Sequence, residues 1–209
     1  MENQIYLIKI GNAEINLKIL YEDNHIIVVM KPANVPVCED SSGDLDLLSM
    51  VKHYLEEKYN KNTCIVSHDN RLSSETLTQN LIKGLVSSGI NIVSLGYTTT
   101  PMNYYARYLN QMPGIMVTAS HNPKDDNGFK MSFDGMINAR GEMIEDFKNY
   151  TIAGNFKNGQ GRITNTNITD KYLEYLKYSL KFGKNKRKVV IDPGNGATTH
   201  IIRKVFDNV

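Results

Sequence analysis

Cysteine is nearly absent from this sequence, and the two thiols present, Cys38 and Cys64, have no CxxC spacing and no histidine cluster beside them. Neither a disulfide framework nor a zinc site is encoded, so both cysteines read as bystanders. Long apolar runs are missing too. From Met1 to Leu17 charged and apolar side chains alternate, which leaves no signal-peptide core and no spanning segment. The expectation is a cytoplasmic protein with no membrane partner. Net charge is also low, with 24 basic residues against 22 acidic ones and a formal balance of +2. The basic cluster from Lys181 to Lys188 reads as a solvated linker rather than a phosphate-binding patch. No basic stripe with interleaved aromatics appears, so nucleic acid is not an expected partner.

What is present is a chain of 209 residues, 41% hydrophobic, long enough to bury a core and to hold one or two domains. Residues 17–32 contain two β-rich runs around Glu22-Asp23-Asn24, which predicts a hairpin. Leu45, Leu47, Leu48, Val51, Tyr54 and Leu55 then mark a helix of about four turns, capped by Asp44 or Gly43. A buried strand is expected at Cys64–Ser67. The next helix, capped by Ser73 or Ser74, carries Leu77, Leu81, Ile82, Leu85 and Val86 on one face. A strand over Ile90–Leu95 precedes a helix with Thr100 as N-cap and Pro101 at its first position. Two strands, Ile115–Val117 and Phe129–Phe133, flank a polar loop.

Beyond them, Asp134-Gly135 reads as a turn and Met143–Tyr150 as a short helix. Residues 151–168 read as a surface connection, and a helix begins at Thr169 and Asp170 with Leu173, Leu176 and Leu180 on one face. Its tyrosines read as packing groups. Lys188–Asp192 reads as a strand, Pro193–Gly196 as a Gly-rich turn able to cradle phosphate, and Ala197–Phe206 as the start of a helix. This alternation predicts an α/β fold, a mixed sheet flanked by helices, preceded by a β-hairpin plus helix segment.

Chemistry concentrates between Thr118 and Lys130, where a serine, a histidine, amides and an ammonium share one loop at a strand end. A serine hydroxyl is a weak nucleophile until a base or a stabilising field activates it, and His121 and Lys130 are the candidates. Asp125 and Asp126 attract a metal assignment, because hard cations prefer carboxylates. Neighbouring residues rarely converge on one ion.

Thr-Ala-Ser-His-Asn-Pro followed by Asn-Gly-Phe-Lys resembles the phosphoserine loop of the α-D-phosphohexomutases, the phosphoglucomutase and phosphomannomutase family. His68-Asp-Asn-Arg-Leu-Ser-Ser74 is similar to that family's Gly-Arg-Asp-x-Arg-Leu-Ser motif, with Ser67 and His68 replacing its glycine and arginine. The resemblance implies an isomerase that moves a phosphoryl group on hexose phosphates through Ser120, with hexose bisphosphate as intermediate. It implies His121 and Lys130 as catalytic residues, Lys130 as general acid or base, and Arg71 and Lys130 as substrate-binding cations. It implies Mg²⁺ as cofactor, held through phosphorylated Ser120. In the family the three ligand aspartates lie in an Asp-Gly-Asp-x-Asp-Arg loop that this sequence does not contain. The expected layout is a first mutase domain over 62–183, without its usual opening segment, and a truncated start of the second over 184–209. Such a piece is expected to be incomplete alone, with a complementing protein chain as a possible partner.

Residues 17–61 carry a different resemblance. Ile-Leu-Tyr-Glu-Asp-Asn-His-Ile-Ile-Val-Val-Met-Lys-Pro, with the helix after it, resembles the start of RluA-type RNA pseudouridine synthases, which implies a synthase-like hairpin and helix over 1–61. That family's catalytic His-Arg-Leu-Asp motif is missing. Two alternatives accompany the mutase reading: a synthase relative without its catalytic aspartate, and a fusion or truncation product with no catalysis of its own.

Overall fold

A computed structural model describes residues 4–10, 13–22, 26–39, 41, 44–58, 62–133, 137–181, 183–184 and 188–206. Asp23, Asn24, Gly43, Asp134 and Gly135, on which turn or cap expectations fell, lie outside them. The chain divides into two compact units, Met1–Lys61 and Asn62–Val209.

In the first unit β1 (Gln4–Ile10), β2 (Ala13–Glu22) and β3 (Ile27–Met30) form an antiparallel sheet in that order, backed by α1 (Leu47–Lys58). The β2–β3 pairing corresponds to the expected hairpin, and β1 adds a strand that was read only as alternation. Period-two patterning buries Leu17 and Ile19 against Met50 and Tyr54 of α1, with Val35 closing the cluster. Asp46 caps α1, replacing the expected Asp44 or Gly43: its carboxylate accepts the backbone N–H of Ser49 at 3.0 Å and the Ser49 hydroxyl at 2.7 Å. At the far end of α1 the Tyr54 hydroxyl donates to Glu22 at 2.7 Å, and Lys58 pairs with the same carboxylate at 2.6 Å.

The second unit comprises β4 (Thr63–His68), α2 (Ser74–Ser87), β5 (Asn91–Tyr97), α3 (Thr100–Asn110), β6 (Gly114–Val117), β7 (Phe129–Ser132), α4 (Glu142–Ala153), β8 (Ile163–Asn165), α5 (Thr169–Ser179) and α6 (Ile202–Phe206). Its sheet has the order β7-β6-β4-β5-β8, parallel except for β7, which runs antiparallel to β6. This is the expected mixed sheet with helices. Central β4 is buried from Cys64 to Ser67, as an apolar run covered on both faces should be. Ile65 meets Met102 and Ala106 of α3 in one cluster, while Val66 and Cys64 meet Leu81, Ile82 and Leu85 of α2 in the other.

Four expectations are corrected. The N-cap of α3 is Thr99, in extended conformation, and Thr100 is already helical. Residues 151–168 contain a three-residue edge strand, β8, paired with β5. Lys188–Asp192 forms no strand: among the described residues no strand pairs with this apolar run, and Val189 and Val190 are 64% and 96% exposed. Turns occupy Ala197–Ile201, so the last helix begins only at Ile202. The tyrosines of α5 do pack: Tyr172 and Tyr175 lie 5.6 and 4.8 Å from the Tyr105 ring of α3.

Candidate active site

Parallel β4, β5 and β6 bring their C-terminal ends to one edge of the sheet, where open α/β sheets carry their binding crevices. Asp69 follows β4, Thr98 follows β5 and Thr118 follows β6. A cleft of about 610 Å³ opens there, lined by residues 69–73, Thr100, Thr118, Ser120, Asn122, Lys124, Asp125 and the 194–197 turn.

The serine loop is the connection between antiparallel β6 and β7, closed at its base by Thr118 N–H donating to the Gly128 carbonyl at 2.8 Å. Two tight turns shape its interior, Asn122 N–H to Ala119 and Asp126 N–H to Pro123, each at 3.1 Å. Ser120 lines the cleft with a φ of 51°, a left-handed conformation that costs a residue with a Cβ on the order of 1 kcal/mol. Its N–H donates to the Thr118 hydroxyl oxygen at 2.9 Å. That hydroxyl in turn donates to Asp69 Oδ2 at 2.6 Å.

Asp69 is a 7% exposed hub. Its Oδ1 accepts the Ser74 hydroxyl and the Arg71 backbone N–H, and Arg71 Nε lies 3.3 Å from its Oδ2. Burial works against ionisation of this carboxyl. The hydrogen bonds from Ser74 and Thr118, then the Arg71 N–H and guanidinium, outweigh it and hold Asp69 below the ordinary carboxylate value.

Arg71 turns its guanidinium onto the loop backbone. Nη1 donates to the carbonyls of Pro123 and Asp126, and Nη2 to those of Ser120 at 3.1 Å and Asn122 at 2.8 Å. Asn127 ties the loop to the start of α2, donating to the hydroxyls of Ser73 at 2.9 Å and Ser74 at 2.8 Å while its own carbonyl accepts Gly128 N–H at 2.8 Å.

Of the residues singled out in the sequence, the structure brings Ser120 and Arg71 together at the cleft. His121 is exposed on the loop, and Lys130 sits half-buried on β7 opposite Met116; neither lines the cleft. Asp125 lines it, whereas Asp126 contributes a backbone carbonyl to Arg71. Sequence reasoning assigned no site role to Asp69, Thr118 or Asn127, and read Ser74 only as a candidate helix cap. Their signal was a run of short polar side chains at two strand ends. The Pro193–Gly196 turn forms part of the cleft wall, where Asn70 donates to the Asn195 carbonyl at 2.6 Å.

Among the described residues no group of three or more His, Cys, Asp or Glu side chains is placed to hold a metal ion. The residues present therefore do not fit the carboxylate cage that the resemblance implies for Mg²⁺. Among the described residues, likewise, no helix is long and apolar enough to cross a membrane.

The sequence and fold that carry this site have known relatives. Residues 45–160 match the family model described as phosphoglucomutase/phosphomannomutase, alpha/beta/alpha domain I. The chain belongs to the phosphoglucomutase/phosphomannomutase family. It is 40% identical over 143 residues to a phosphomannomutase/phosphoglucomutase of Pseudomonas syringae pv. tomato, covering 68% of this chain and 30% of that protein. A phosphoglucosamine mutase of Leuconostoc mesenteroides is 30% identical over 166 residues, covering 76% of this chain and 36% of the relative. A phosphoglucomutase of Neisseria meningitidis serogroup B is 36% identical over 145 residues, covering 68% and 31%. In three dimensions the chain is similar to a phosphoglucomutase/phosphomannomutase family protein from Burkholderia thailandensis, with a TM-score of 0.63 at 30% identity over 69% of this chain and 33% of that one. This phosphohexomutase-family chain thus spans about a third of the length of the relatives it matches.

Proposed function

We propose that Ser120 accepts and returns a phosphoryl group in exchange with hexose phosphates, the reaction class of a phosphohexomutase. The observation that carries this reading is Ser120 itself, held left-handed at the cleft by a loop whose backbone is fastened on every side. In the forward step the Ser120 Oγ–P bond forms, the P–O bond to the sugar breaks, and the serine proton ends on the sugar oxygen that leaves. The reverse step regenerates the hexose bisphosphate. Such transfers depend chiefly on positioning and on stabilising charge, and the loop supplies the positioning.

His121 and Lys130 stay in this proposal as the catalytic residues that the serine-loop motif implies. Proton transfer by Lys130 needs it within hydrogen-bond reach of the reacting oxygen, and that assignment rests on the sequence motif alone. Substrates are hexose phosphates and bisphosphates as a class, since the relatives are named for mannose, glucose and glucosamine phosphates alike. The test is incubation of the whole chain with Mg²⁺ and α-D-glucose 1,6-bisphosphate, followed by intact mass and peptide mapping, with Ser120→Ala as control. One added phosphoryl group on Ser120, absent from the control, is expected. An unmodified wild-type chain defeats the proposal.

A further inference from the structure

Arg71, which the family resemblance casts as a substrate-binding cation, is occupied elsewhere. A guanidinium has five N–H donors in a fixed planar fork. Four of Arg71's five go to the backbone carbonyls of Ser120, Asn122, Pro123 and Asp126, and the fifth sits on Nε, 3.3 Å from Asp69 Oδ2. The side chain is 12% exposed. The strong, bidentate recognition of a phosphate by arginine uses a free pair of parallel N–H groups, and this fork has none to offer.

From that geometry we infer that Arg71 is a positioning residue, the internal template around which the Ser120 loop is folded, and that it does not hold the phosphoryl donor. The inference rests on the reading of Ser120 as phosphoryl acceptor. Its logic is electrostatic. Four carbonyl oxygens converge on one point, and without a cation between them they repel one another and the loop opens. The cation must also be planar and five-donored, because its partners are spread along the loop from residue 120 to residue 126 and back to Asp69 on β4's end. An ammonium, with three donors around one atom, cannot span them. Ser120 is the residue most exposed to the loss, since its left-handed backbone persists only while its surroundings impose it.

The test uses the whole chain, Arg71→Met and Arg71→Lys, with two readouts: the rate of Ser120 phosphorylation as a function of α-D-glucose 1,6-bisphosphate concentration, and amide hydrogen exchange. In Arg71→Met the maximal rate is expected to fall roughly a hundredfold, as for a misplacement of about 1 Å, with the half-saturating donor concentration unchanged. Amides of residues 119–128 are expected to exchange about tenfold faster while those of β4 and α2 keep their protection. Arg71→Lys is expected to restore neither quantity, and it decides the matter if the methionine variant loses β4 protection. A raised half-saturating concentration with unchanged loop exchange places Arg71 on the donor phosphate and overturns the inference, as does full recovery in Arg71→Lys. If the wild-type chain takes up no phosphate, the Ser120 reading fails, and loop exchange alone still decides whether Arg71 shapes the loop.

Discussion

The hydroxyl of Thr118, at the end of β6, donates to the carboxylate of Asp69, at the end of β4, across 2.6 Å, and accepts the backbone N–H of Ser120 at 2.9 Å. A buried charge on one strand is thereby linked through one hydroxyl to the backbone of the candidate nucleophile on the next.

This link makes stability depend on acid. The folded-state pKa of Asp69 lies below its unfolded value, which is about 3.9 for an ordinary aspartate. Its contribution is therefore fully present above that value and is lost as pH falls through the lower folded pKa. Asp69→Asn is expected to cost about 1–3 kcal/mol near neutrality and to flatten the acid limb of the stability profile. Urea melts of both proteins from neutral to acid pH measure this; identical acid limbs would sink the idea.

Asn127 is the second fastening of the loop. Asn127→Ala removes its bonds to Ser73, Ser74 and Gly128 and is expected to cost about 1–2 kcal/mol. Denaturant unfolding gives the number. A variant as stable as wild type would mean that water replaces these bonds without loss.

The two thiols should differ sharply. Burial pushes the Cys64 thiol up to about 12, only partly opposed by Arg107, whereas Cys38 is exposed. Titration of the native chain with a thiol reagent at neutral pH should modify Cys38 promptly and Cys64 only after denaturant is added. Prompt reaction at both sites would contradict the packing around β4.

Gly161 leads into β8, and a Cβ there would stand 1.9 Å from the Ile90 carbonyl oxygen. Backbone cannot retreat as a flexible side chain can. Gly161→Ala is expected to destabilise by about 1–3 kcal/mol, with amide exchange rising first in β8. Unchanged protection of Thr164 and Asn165 would show that the connection shifts freely.

Much of this fold was legible because it obeys simple periods. The apolar face of α2 repeats at helical spacing, Pro101 marks the first turn of α3, and the unbroken Cys64–Val66 run belongs to a strand covered on both faces. β8 was hidden because three exposed residues carry no period, and Asp46 because capping is decided by which carboxylate reaches an N–H. Val189 and Val190 misled for the opposite reason: β-branched residues make a strand only where another strand is available. At the site, Ser120 stood out through the residue types around it. Arg71 was noticed and read as a substrate-binding cation; its bonds to the loop were not foreseen, since the partners are backbone carbonyls 49 to 55 residues away, and a carbonyl leaves no trace in residue type.

Kinship and packing draw their borders at different places. The family match begins at residue 45, taking in α1, yet the apolar face of that helix, Met50 and Tyr54, is buried against Leu17, Ile19 and Val35, which precede the match. A fragment cut at the edge of the recognisable family would carry a helix stripped of its counterpart, sticky and unsupported. Anyone dissecting this chain with scissors should cut between residues 61 and 62, where one compact unit ends and the other begins, and let ancestry run across the cut.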